Sequence, residues 1–157
     1  MNRKGLLFTA VAALGLVLAS CSDEIKLQNT LTKDSGLWNL DEIKSTTVFS
    51  NDPDNPINTQ DFNVGEVSFY DSGRGVWITY DTLVMLNVAY YFEWENTANS
   101  VILNFEDFPD TETEYAVNEV SKDEQIWTSE DVETVGSVTV TTTTELRLVR
   151  EEEIANK

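Results

Sequence analysis

From Val84 to Glu95 the even positions, Val84, Leu86, Val88, Tyr90, Phe92 and Trp94, are all large and apolar, while the odd positions include Asn87, Glu93 and Glu95. Successive side chains of an extended strand point to opposite faces, so this period of two places the apolar set on one side of a sheet. The last run behaves alike: Val138, Val140, Thr142, Thr144, Leu146 and Leu148 share a face, opposite Thr139, Thr141, Thr143, Glu145 and Arg147. Its β-branched threonines suit extended backbone better than helix.

Turn residues separate further runs of the same kind. Asp71-Ser72-Gly73-Arg74 parts Val64–Tyr70 from Gly75–Asp81, and Asn96 to Ser100 precedes the run Val101 to Phe105. Lys122-Asp123-Glu124 follows Tyr115–Ser121, and Gly136-Ser137 after Gln125–Val135 fits a hairpin turn with glycine first. With Leu37–Val48 as the opening strand, eight segments follow one another at hairpin distance, except for a longer expected loop at Asn51–Pro56. Eight sequential strands with one apolar face can close into a cylinder, which removes both sheet edges. Residues 35–150 are therefore expected to form one all-β domain, an eight-stranded antiparallel up-and-down β-barrel.

The N-terminus has a different composition. Arg3 and Lys4, the apolar run Leu6–Leu18 and small Ala19 and Ser20 make a signal peptide over 1–20, too short and too sharply ended for a membrane span. Cys21, the only cysteine, follows Leu-Ala-Ser directly, which resembles the lipobox of bacterial lipoproteins. The resemblance implies cleavage before Cys21, acylation of its sulfur and amino group, and membrane attachment through that lipid. Ser22-Asp23-Glu24 resembles the acidic export signal of surface lipoproteins of Bacteroidetes, implying an outer-membrane anchor at the cell surface, with the periplasmic face as the alternative. Residues 21–34 read as a lipidated polar tether in coil form, and 151–157 as an acidic tail.

Composition removes several function classes. The chain carries 28 acidic and 10 basic residues, a formal net charge of −18, which repels nucleic acid. There is no histidine, so the usual zinc ligand and the usual base for a serine or cysteine nucleophile are both missing. Asp52, Asp54 and Asn55 hint at calcium, but Pro56 interrupts the pattern and no closing glutamate follows. Glu106-Asp107 and Asp110 to Glu114 are the pairings that so acidic a chain produces by chance. No catalytic residue, cofactor or metal is expected.

Gly36-Leu37-Trp38 reproduces the G-x-W motif that opens the first strand of lipocalins, and Leu146 to Arg150 resembles their closing strand. The resemblance implies that Arg147 or Arg150 packs over Trp38 and closes the base of the barrel. The chain is most similar to compact lipocalin-like lipoproteins of Bacteroidetes. It lacks the Thr-Asp-Tyr type motif of the longer secreted lipocalins, and Ser121-Lys122-Asp123-Glu124 stands there instead. Tyr80, Tyr90, Phe92, Trp94 and Phe105 are the candidate ligand-binding residues, with the mouth expected near Asn51–Asp61 and Asp81-Thr82-Leu83. Such bulky side chains either line a pocket or fill the bore. Thr82, in Asp-Thr-Leu, resembles an O-glycosylation acceptor. The expectation is a lipid-anchored, non-enzymatic envelope protein that binds a small hydrophobic or amphipathic molecule or a glycan fragment. The alternative is a solid barrel serving as an accessory to an envelope protein partner.

Overall fold

The computed structural model describes residues 23–81, 86–109 and 111–150; the expectations on Cys21, Thr82 and the segments 1–20 and 151–157 lie outside these residues. Eight strands run in chain order: β1 (Leu37–Phe49), β2 (Asp52–Phe69), β3 (Arg74–Asp81), β4 (Leu86–Asn96), β5 (Ser100–Phe105), β6 (Glu112–Val120), β7 (Glu124–Val135) and β8 (Val138–Val149). Each pairs antiparallel with the next, and β8 returns to β1, so the sheet closes into an up-and-down barrel. Tight turns join the strands at the end where β1 begins. There the Gly73 amide donates to the Tyr70 carbonyl, and Ser121 Oγ accepts from the Asp123 and Glu124 amides. Gly136, with φ 66°, makes the two-residue turn between β7 and β8 at the opposite end.

The periodicity becomes register. Trp38 and Leu40 of β1 face the bore with Val67 and Phe69 of β2, Trp77 of β3, Phe92 and Trp94 of β4, Val101 and Leu103 of β5, Tyr115 of β6, Trp127 of β7 and Leu146 and Leu148 of β8. Phe69 sits at the hub, with ring centroids 5.6 Å from Phe92, 5.3 Å from Trp94 and 5.7 Å from Trp127, all edge to face. Gly75 makes room for this core: a Cβ there would overlap the Phe92 ring. A β-bulge at Asp41 changes the inward parity of β1, so that Ile43, Ser45 and Thr47 continue the face begun by Trp38 and Leu40.

Two expectations are corrected. Residues 23–32 form a helix, α1, rather than a coil. Leu27 and Leu31, four apart, share one face of that helix and are buried at 2% and 0% exposure against the barrel core. Nor is Asn51–Pro56 the expected loop: β2 already begins at Asp52 and runs through Pro53 and Pro56. On its β3 side this length of β2 has no partner among the described residues, because β2–β3 pairing starts only at Gly65, so prolines fit where a central strand would exclude them.

The ladders are unequal in length. β1 pairs with β2 and β8 up to Phe49, and β7 pairs with β8 up to Val135. β3 leaves β2 above Gly65, and β6 leaves β7 above Ala116. Above the closed ring, therefore, β2, β1, β8 and β7 continue as a four-stranded flap whose two edges have no ladder partner among the described residues.

Candidate functional site

The closed end is knitted by Arg150. Its guanidinium carbon lies 4.1 Å from the Trp38 ring centroid, while Nη2 donates to the Thr30 carbonyl, Nη1 to the Lys33 carbonyl and Nε to the Lys122 carbonyl. Thr30 and Lys33 lie at the C-terminal end of α1, where carbonyls lack intrahelical partners and a cation is favoured. Burial works against the charge of this guanidinium, and Asp34 and Asp123 offset part of that cost. Trp38 Nε1 donates to the Leu31 carbonyl at 3.0 Å, and Asn96 Nδ2 to the Glu24 carbonyl at 3.0 Å, so both ends of α1 are fixed across the barrel base. Gly36, at φ 70°, packs so tightly on the Phe69 carbonyl that no Cβ fits.

Arg147 does not share this role. On the outer face it donates to Glu124 at 2.7 Å and to Asp41 at 2.5 Å, joining β8 to β7 and β1; the Glu124 hydrogen bond leads in holding its charge. The choice between the two arginines follows from parity. Arg147 alternates with inward Leu146 and Leu148, whereas Arg150 lies just past the end of β8 and can turn under the base.

The five ligand candidates separate into three groups. Phe92 and Trp94 belong to the packed core, at 1% and 7% exposure, and Trp94 Nε1 donates to the Arg74 carbonyl. Tyr80 is on the outside: Trp77 of β3 points inward, so Tyr80 three positions on points outward, and its hydroxyl donates to Glu66 Oε1 at 2.5 Å. Tyr90 and Phe105 lie one layer above the core, half-buried, with Ile43, Val64 and Val117. Those five side chains come from β1, β2, β4, β5 and β6 and form a floor, resting on Phe92 and Trp77 through Phe105 at 5.6 and 6.1 Å.

Above the floor the inward faces open. Val88 and Leu86, on the Tyr90 face of β4, are 41% and 60% exposed, and Phe108 stacks at a tilt 6.2 Å from Tyr90. Across the barrel, β1 and β8 present hydroxyls: Ser45 Oγ lies 3.3 Å from Thr144 Oγ1, and Thr47 Oγ1 lies 3.1 Å from Thr142 Oγ1. A cup with an apolar wall and a hydroxyl wall results, suited to a molecule with a hydrocarbon part and a polar part. Ile43, Val64 and Val117 were not among the sequence candidates. The parity of Trp127 opposite Val117, and of Leu146 opposite Ile43, is the signal that locates two of them.

Core chemistry also surrounds two polar groups of β7 and one of β6. Gln125 is fully buried and donates from Nε2 to the Ser121 carbonyl, while its Oε1 and Trp127 Nε1 have no hydrogen-bond partner among the described residues. Burial pushes the Tyr115 hydroxyl up to about 12. Among the described residues no group of three or more acidic, histidine or cysteine side chains is arranged to hold a metal.

No family model and no curated protein matches this sequence. Among solved structures it is similar to a bovine odorant binding protein, a deswapped triple mutant, at 14% identity and a TM-score of 0.41, over 78% of this chain and 76% of that one.

Proposed function

We propose that the protein is a lipid-anchored, non-enzymatic binder of a small amphipathic molecule at the bacterial outer membrane, held there through Cys21, and that the open cup is its binding site. The observation that carries the binding site is the exposure of Leu86 and Val88 on the inward face of β4, directly above a floor of half-buried Tyr90 and Phe105. Inward apolar side chains left wet in an otherwise packed barrel gain by being covered, at about 25 cal/mol per Å² of apolar surface removed from water. The paired hydroxyls of Ser45, Thr144, Thr47 and Thr142 supply donors and acceptors for the ligand's polar part.

Titration of the full chain with a series of fatty acids and amphipathic oligosaccharides tests the site, read by tryptophan emission. Trp77, edge to face with Phe105, is the reporter beneath the floor. Val88→Glu, a change at an exposed position, is expected to abolish the response while leaving thermal unfolding unaltered. A parent chain that responds to no member of the series, or a variant that responds equally, would refute the cup as the site. The anchor is tested separately: chain expressed in cells should enter the detergent phase on cloud-point separation, and Cys21→Ser should keep it in the aqueous phase.

A further inference from the structure

β6 and β7 part where pairing ends at Ala116 and Thr128, close to the bulge at Asn118, whose side chain donates to Thr128 Oγ1 at 2.9 Å. Beyond that point β6 stays paired only with β5, through Glu112 to Tyr115, and β7 only with β8, through Ser129 to Val135. Two strand edges therefore face a V-shaped opening with no ladder partner between them among the described residues. On the outer surface the opening is a cleft of about 610 Å³ lined by Glu112, Glu114 and Ala116 of β6, Thr128, Ser129 and Glu130 of β7, and Thr143 of β8. The unpaired length of β7, seven residues at ~3.4 Å each, is long enough to take a complete added strand.

An unpaired edge offers alternate backbone N–H and C=O groups to any extended chain, and side chains beside it select among such chains. The selecting side chains here are acidic. Glu112 and Glu114 project on the same outer face of β6 at a spacing of two, and Glu130 faces them from β7, with no lysine or arginine on either unpaired length. A second copy of this chain, itself carrying a net charge of −18, is repelled from this edge. We propose that the β6–β7 opening is a docking site for an extended segment of another protein, added as a strand along β7, with lysine or arginine at alternate positions over Glu112, Glu114 and Glu130. Its acidic lining, Glu112, Glu114 and Glu130, lies on the outer face of the wall, whereas the hydroxyls of the ligand cup lie on the inner one.

The probe is a capped heptapeptide alternating lysine with valine, labelled for fluorescence anisotropy and titrated with the full chain at physiological ionic strength. Saturable binding is expected, with at least a tenfold loss when alternate backbone amides of the peptide are N-methylated, since that removes its ladder donors and keeps its charge. A second loss of at least tenfold is expected for the combined variant Glu112→Gln, Glu114→Gln and Glu130→Gln, all at exposed positions whose removal leaves the core untouched. Equal binding of the methylated peptide would mean charge attraction without strand addition, and would overturn the proposal. So would equal binding by the triple variant, absence of binding by the parent, or a chain dimer in sedimentation that the triple variant abolishes.

Discussion

Strand β8 passes through two environments without changing the parity of its side chains. Leu146 and Leu148, near its C-terminal end, are 1% and 0% exposed between Trp127, Leu40 and Gln125. Thr142 and Thr144, on the same face, are half-buried and meet hydroxyls of β1 instead of rings. Around the lower part every strand has two neighbours and α1 plugs the end; around the upper part β7 and β2 each have one among the described residues. Stability should be concentrated where the ring is closed, and the proposed cup and strand-docking edge both fall on the less enclosed part.

Removing the centre of the closed end should break this contrast most severely. Trp38→Ala deletes a fully buried indole, its hydrogen bond to Leu31 and the surface over which Arg150 lies. A loss of about 3–5 kcal/mol is expected for such a truncation, measured by urea unfolding. That is comparable to a large share of a domain's net stability.

Tyr115 gives the same region a signature in pH. Its hydroxyl stays protonated to about 12 in the fold and ionises near 10 when unfolded. Stability is intact below pH 10 and declines as pH rises from 10 through about 12, because the unfolded state releases its proton first. Between pH 9 and 11.5 this residue should account for about 2 kcal/mol of the loss, at 1.36 kcal/mol per unit. Tyr115→Phe should flatten that part of the profile, and an unchanged slope would contradict the burial argument.

The two arginines sharpen the comparison at smaller amplitude. Arg150→Lys should cost about 2 kcal/mol, since an ammonium cannot lie flat over Trp38 and reach the Thr30, Lys33 and Lys122 carbonyls together. Arg147→Ala removes ion pairs whose side chains are 35–41% exposed, and should cost less than about 1 kcal/mol. Urea midpoints of the two variants, measured side by side, test the ranking.

The strands were legible because a one-faced barrel imposes a period of two, and β4 and β8 keep it without interruption. The floor was less so. Tyr80 has the chemistry of a pocket residue but the parity of an outer one, and only the register of Trp77 on Tyr90 decides between them. Phe92 and Trp94 face inward as expected, yet their depth depends on where the ring closes, which sequence spacing does not give. α1 escaped because Leu27 and Leu31, with an exposed Ile25 among polar residues, give a short helix little stability of its own, and packing into the barrel end supplies the rest. The start of β2 escaped because proline reads as a break, although it is tolerated on an edge.

The smallest expected effect tests the flap itself. Thr47 and Thr142 meet across β1 and β8 at 3.1 Å, with both side chains half-buried and within reach of water. Replacing both by valine keeps shape and β-propensity and removes both hydroxyls, so no unpaired polar group is left behind. Global stability should change by no more than about 0.5 kcal/mol, because the flap lies outside the closed ring that limits unfolding. Affinity in the cup should fall for ligands with a polar head and hold for plain hydrocarbons, since only the hydroxyl wall has changed. Native-state amide exchange gives the independent reading: amides along Ser129–Val135 should exchange by local opening at low free energy, and those of β8 from Leu146 to Leu148 only with global unfolding. Equal protection at the two places would mean that the flap is as stable as the ring, and the division of labour between them would fail.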